Sequence, residues 1–101
     1  YAENDNMADG AIQALEEAGK KVGGDDGIAI ISFDANRAYL QMTLEGKINC
    51  NVECNPLLGP GVAALIKKIE GGGQPNKKES IDETAFYYDT ITQEVIDARP
   101  Y

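Results

Sequence analysis

Ile28-Ala29-Ile30-Ile31-Ser32-Phe33 is the stretch on which the fold turns. The run is continuously apolar but for its serine, has the length of a strand, and lies between the turn-rich Gly23-Gly24-Asp25-Asp26-Gly27 and Asp34. A run without alternation marks a strand covered on both faces, as in a parallel sheet. Upstream, Asn4-Asp5-Asn6 offers N-caps for a helix in which Met7, Ala11, Ala14, Leu15 and Ala18 recur at helical spacing until Gly19 and Lys20-Lys21. Asp9 suits the positive end of that helix's dipole. Tyr1-Ala2-Glu3 reads as the end of a strand, so the chain is expected to be a piece of something longer. Downstream, Ala38 to Leu44, closed by Gly46, fits a short second helix. Ile48-Asn49-Cys50-Asn51-Val52-Glu53 alternates as a half-covered strand does.

Pro56 and Pro60 suit the start of a third helix, where Val62, Leu65, Ile66 and Ile69 make the cleanest apolar stripe in the chain and read as core. Lys67 and Lys68 lie near its C-terminus and Gly71-Gly72-Gly73 ends it. The following Gly, Pro, Asn, Lys and Glu residues up to Ser80 read as an exposed linker. Ala85-Phe86-Tyr87-Tyr88 is strand-like, Asp89-Thr90 is a candidate cap, and Ile91 to Ala98 is a last helical turn or two. Helices alternating with buried strands predict an α/β domain with a parallel sheet.

Composition narrows the chemistry. The chain has 101 residues, 17 acidic and 9 basic side chains, no His, and a formal charge of -8. The acidic balance argues against nucleic acid and against anionic membranes as partners. Without His, nucleophilic catalysis by a Ser-His or Cys-His pair is excluded, and so are most zinc sites. No catalytic residues, metal or cofactor are expected. No run of 18 apolar residues is present. Cys50 and Cys54 lie four apart in an extended segment, about 13 Å at ~3.3 Å per residue, too far for a disulfide, and are expected to be free thiols.

Ligands of open parallel sheets bind beyond the carboxyl ends of the strands. That rule selects Asn4-Asp5 after the first strand stub, Asp34 after Phe33, and Glu53-Cys54-Asn55 after Val52. Carboxylates and amides with Phe33 and Tyr39 nearby are the groups that recognise polyols rather than phosphates. Each has a structural alternative. Asn4 or Asp5 could cap the first helix and Asp34 the second, Glu53 could be a solvated strand end, and Cys54 a small buried apolar side chain.

The segment from Asn4 to Leu15 (Asn4-Asp5-Asn6-Met7-Ala8-Asp9-Gly10-Ala11), followed by Ala18-Gly19-Lys20, resembles the N-D-x-M-A-x-G-A…A-G-K motif of the type I periplasmic sugar-binding proteins, the ribose and galactose receptors of ABC transporters. Ile31-Ser32-Phe33-Asp34 stands where that family has V-G-F-D, with Ala35 in place of a common Gly. Gly46-Lys47-Ile48 and Val52-Glu53-Cys54-Asn55-Pro56 through Gly59-Pro60 resemble a third motif, spelt most like the galactofuranose-binding branch.

The resemblance implies two Rossmann-like lobes closing over one monosaccharide, a pentose, a hexose or galactofuranose, with delivery to an ABC transporter permease. It implies that residues 1–53 belong to the C-terminal lobe. Residues 54–79 would then make a hinge crossing and a helix on the N-terminal lobe, and residues 80–101 would return to the C-terminal lobe. The remaining N-terminal part of the same protein is then a partner, and the location is periplasmic or extracellular, lipid anchoring included. Residue by residue, Asn4 and Asp34 match the family's sugar-binding asparagine and strand-end aspartate. Cys54 falls at a ligand and hinge position usually held by Gln or Asn, which Glu53 or Asn55 could take over.

Two other classes share features of the pattern. The effector domain of a LacI-type repressor resembles the same fold and would require a helix-turn-helix segment upstream. A receiver-like domain with Asp34 as phosphoacceptor would require a Lys after a later strand, and none follows Val52.

Overall fold

A computed structural model describes all residues, 1–101. Seven elements follow one another: α1 (Asp5–Glu17), β1 (Ile31–Asp34), α2 (Arg37–Leu44), β2 (Cys50–Glu53), α3 (Gly59–Glu70), β3 (Ala85–Tyr87) and α4 (Gln93–Asp97). The sheet has the order β1-β2-β3. β1 and β2 run parallel, as expected of a βαβ unit, with Ile31 beside Cys50 and Asp34 beside Glu53. β3 is antiparallel to β2, so the sheet is mixed rather than purely parallel. The stub before α1 lies alongside, with the Ala2 amide donating to the Ile31 carbonyl at 2.9 Å.

Covering the sheet on one side only explains most of what sequence patterning misjudged. Ala8 and Ile12 of α1 pack with Ile30 and Ile48 and against Tyr39 and Met42 of α2. Leu40 of α2 packs with Phe86, Ile91 and Ile96. All three helices α1, α2 and α4 thus lie on the face that carries Ser32, Asn51 and Phe86. The opposite face presents Ile31, Phe33, Cys50, Val52 and Tyr87. It is bare: Ile31 is 42% and Tyr87 51% exposed. The continuous apolar run is therefore covered on one face rather than two, and β1 begins at Ile31, with Ile28 engaged only in an isolated bridge to Val22. In β2 the expected alternation has the opposite phase. Asn51 and Glu53 are buried, whereas Cys50 and Val52 face the bare side and are half-buried.

α3 is the second departure. None of its residues is buried, and Val62, Ile66 and Ile69 are each half-exposed. Within residues 1–101 the stripe that reads as core borders only a groove toward residues 79–81, and of its members Leu65 alone is part-buried. The helix stands out from the body, and the chain measures 60 × 26 × 18 Å with a radius of gyration of 17.4 Å, against about 13 Å for a compact domain of 100 residues. Its start is at Gly59 with Pro60 in the first turn, three residues later than Pro56. α4 is capped by Thr92, whose hydroxyl accepts from the Val95 amide, not by Asp89 or Thr90. The loop before β1 depends on Gly23, whose φ is 70° and whose added Cβ would lie 1.9 Å from the Gly46 carbonyl oxygen.

Candidate functional site

The carboxyl ends of the strands gather the residues that the sequence singles out. Asp34 and Glu53 close β1 and β2 side by side. The Cys54 amide donates to the Asp34 carbonyl at 3.4 Å, so the chain leaving β2 stays against the end of β1. Asn4 stands at the start of α1, two residues beyond the Ala2–Ile31 contact.

The side chains differ in how far the fold has committed them. Asn4 is the N-cap of α1, its Oδ1 accepting from the Met7 amide at 2.9 Å, which leaves its Nδ2 group free to donate outward. Asp34 is not a cap, because the N-cap of α2 is Asn36. Its carboxylate makes no hydrogen bond within the chain, and it ends β1 at a φ of 102°. Ala35 follows at a φ of 55°, giving two consecutive non-glycine residues in the left-handed half of φ. Such conformations persist only where the surroundings hold them.

Beneath that turn lies a polar cluster of which sequence reasoning singled out only Asp5, and in another role. Asp5 is 1% exposed. Its Oδ1 accepts from the Ser32 hydroxyl at 2.8 Å and the Asn51 Nδ2 at 2.7 Å. Its Oδ2 accepts from the Asn36 amide at 3.1 Å and the Asn36 Nδ2 at 2.9 Å. The Asn51 Oδ1 in turn accepts from the Ala35 amide at 3.2 Å. Burial pushes the Asp5 carboxyl above its ordinary range; the hydrogen bonds from Ser32, Asn51 and Asn36 work against that rise, and the charge of Asp34 adds to it. The sequence marks Asp5 alone, as a strand-end ligand candidate or a cap; the structure gives it neither place and buries it under the turn.

Glu53 is buried as well, and the chain itself uses both of its oxygens. Oε2 accepts from the Thr84 amide at 3.1 Å, and Oε1 from the Tyr101 hydroxyl at 2.5 Å, with Arg99 Nη2 at 2.9 Å. The Arg99 guanidinium is stacked between Phe86 and Tyr101, 5.1 and 4.5 Å from their ring centroids. Burial alone would raise the Glu53 carboxyl, but the bonds from Tyr101, Arg99 and Thr84 outweigh it and hold the group below its usual range. The alternative of a solvated strand end does not apply. One carboxylate thus ties together the end of β2, the segment leading into β3, and residues 99–101.

Cys54 is exposed rather than a small buried apolar side chain, because the chain leaves the sheet there; Cys50 is half-buried, and both are free thiols. No group of three or more His, Cys, Asp or Glu side chains is placed to hold a metal. A groove of about 410 Å³ lies elsewhere, between α3 and residues 79–81, lined by Leu58, Val62, Leu65 and Ile81 among others. It shares no residue with the strand ends.

The same architecture recurs in known proteins. The chain is 38% identical over 96 residues to the galactofuranose-binding protein YtfQ of Escherichia coli (strain K12), covering 94% of this chain and 30% of that protein. The crystal structure of a galactofuranose binding protein superposes with a TM-score of 0.77 at 37% identity, covering 96% of this chain and 32% of the other. The chain belongs to the type I periplasmic sugar-binding proteins. A Mycobacterium smegmatis protein of the same architecture, crystallised with β-D-fucofuranose, superposes with a TM-score of 0.74 at 40% identity over 86% of this chain and 28% of its own. The chain spans about a third of the length of these relatives. No family model matches it. No helix is long and apolar enough to cross a membrane.

Proposed function

We propose that the chain supplies part of the sugar-binding cleft of an ABC importer's solute receptor. The observation that carries this reading is the convergence of the uncommitted Asn4 amide and Asp34 carboxylate at adjacent strand ends, where an open α/β sheet binds its ligand. An amide that donates and a carboxylate that accepts address neighbouring hydroxyls of one sugar ring. Cys54 and Asn55 stand at the rim, and Glu53, with its oxygens occupied, fixes where that rim lies.

In this reading residues 1–53 form C-terminal-lobe structure and residues 54–79 cross a hinge so that α3 packs on the other lobe. Residues 80–101 return, pinned by Glu53. Two observations support it: the bare sheet face and the half-exposed stripe of α3 are apolar surfaces of the kind that neighbouring structure covers. Binding energy is spent on lobe closure rather than on a reaction, and the closed form docks on the permease outside the cytoplasmic membrane. The kinship with sugar-transport proteins favours this over a repressor's effector domain. The ligand class is a monosaccharide, with furanose forms favoured by the galactofuranose and fucofuranose relatives.

Calorimetric titration of the full-length receptor with D-galactose, D-fucose, L-arabinose and D-fructose tests the proposal. Saturable binding of one sugar per chain is expected for at least one of them. Heats no larger than dilution for all four would refute it.

A further inference from the structure

We propose that Asp5 is a positioning residue: its buried carboxylate holds the turn Asp34-Ala35-Asn36 in its left-handed conformation and thereby aims Asp34 at the ligand. The inference rests on the reading of Asp34 as a sugar contact.

The turn is costly for this sequence. Asp34 and Ala35 take φ values of 102° and 55°, a region that glycine enters freely and other residues do not. Left to itself, the chain after β1 would relax to negative φ and swing the Asp34 side chain away. Three hydrogen bonds oppose this. The Asn36 amide and Nδ2 both donate to Asp5 Oδ2, and the Ala35 amide donates to Asn51 Oδ1. Asn51 is itself oriented by donating through Nδ2 to Asp5 Oδ1. Both constraints on the turn therefore end at one side chain.

The chemistry requires a carboxylate. All four bonds that Asp5 makes are donated to it, from the Ser32 hydroxyl, the Asn51 Nδ2, the Asn36 Nδ2 and the Asn36 amide. A neutral amide of the same shape has one acceptor oxygen, and its own N–H groups would point at donors. Asp5 is also the residue next to Asn4, so the element that presents one polar group to the cleft anchors the turn that presents the other.

Hydrogen exchange and calorimetry on the full-length receptor, with D-galactose, D-fucose, L-arabinose and D-fructose as probes, test the assignment. Asp5→Asn is expected to lower exchange protection of the Ala35 and Asn36 amides and to weaken sugar binding about tenfold. Adding Ala35→Gly, which adopts the same φ without strain, is expected to restore most of the affinity, while the melting temperature stays low because the bonds to Ser32 and Asn51 remain lost. A purely structural role predicts no such rescue. Unchanged amide protection in Asp5→Asn, or an affinity loss that Ala35→Gly leaves untouched, overturns the proposal. Should Asp5→Asn not fold, Asn36→Ala removes a single donor at the surface of the cluster, and a few-fold loss in both readouts is expected; no change in either overturns it. Asp34→Ala serves as the separate control. If it binds sugar normally, the contact reading fails, and the exchange data still decide whether Asp5 holds the turn.

Discussion

The body of the molecule and its projecting helix follow the same helical rules with opposite outcomes. α1 and α3 have similar lengths and comparable apolar stripes, yet Ala8 and Ile12 of α1 are fully buried while no residue of α3 is. The difference lies in what each faces. α1 lies over a sheet that its own neighbours in sequence build, whereas nothing in residues 1–101 supplies a sheet for α3. Amphipathicity therefore reports that a helix has a partner, not that the partner is near in sequence.

The contrast can be broken most directly by isolating the chain. Residues 1–101 alone are expected to associate or to unfold without a sharp transition, because both the bare sheet face and the α3 stripe would meet water. A monomer by sedimentation with a sharp two-state melt would contradict this. Single substitutions sharpen the same point. Leu40→Ala in the body should cost about 3 to 4 kcal/mol by chemical denaturation, since the side chain is fully buried between α2, β3 and α4. Hydrogen exchange of the isolated chain, which needs no sharp transition, should show protection of the body lost in Leu40→Ala and unchanged in Ile66→Ser on α3. A comparable loss of protection from both substitutions would mean that α3 has a partner within the chain.

A smaller effect is expected where body and return segment are tied. Glu53→Gln should cost about 3 kcal/mol, because it leaves the Arg99 guanidinium buried beside a neutral group. The pH dependence has a definite sign. The folded carboxyl is held below its ordinary value of 4.5, so its stabilisation is present above pH 4.5 and is lost as pH falls through the folded value. Denaturation midpoints of parent and variant should therefore converge on acidification below pH 4.5. A gap that stays constant down to pH 2 would show that the charge of Glu53 is not what matters.

Much of this could be read from the sequence. Asn4 as a cap, the first helix itself, the short second helix and the glycine stop after Glu70 depend on neighbours within a few residues, and all are present. The inward face of the first helix is not the expected one: Met7, Ala11, Ala14 and Ala18 are exposed, only Leu15 of the expected stripe touches the core, and Ala8 and Ile12 are the residues that face the sheet. What could not be read depends on residues far apart. Asp5, Ser32 with Asn36, and Asn51 come from three separate stretches, and of them only Asp5 stands out in the sequence, as a cap or ligand rather than an anchor. The phase of β2 was misjudged for the same reason: alternation gives the period, but only the buried carboxylate of Asp5 explains why Asn51 faces inward. Glu53 likewise reads as a strand end until Thr84, Arg99 and Tyr101 are brought to it.

The central claim is that Asn4 and Asp34 hold one sugar from adjacent strand ends. The most direct measurement is calorimetric affinity of the full-length receptor carrying Asn4→Ser, which keeps the helix cap and removes the amide, or Asp34→Ala. Each should weaken sugar binding by about 1 to 3 kcal/mol with the melting temperature of Asn4→Ser nearly unchanged. Affinity equal to that of the parent in both variants would contradict the account.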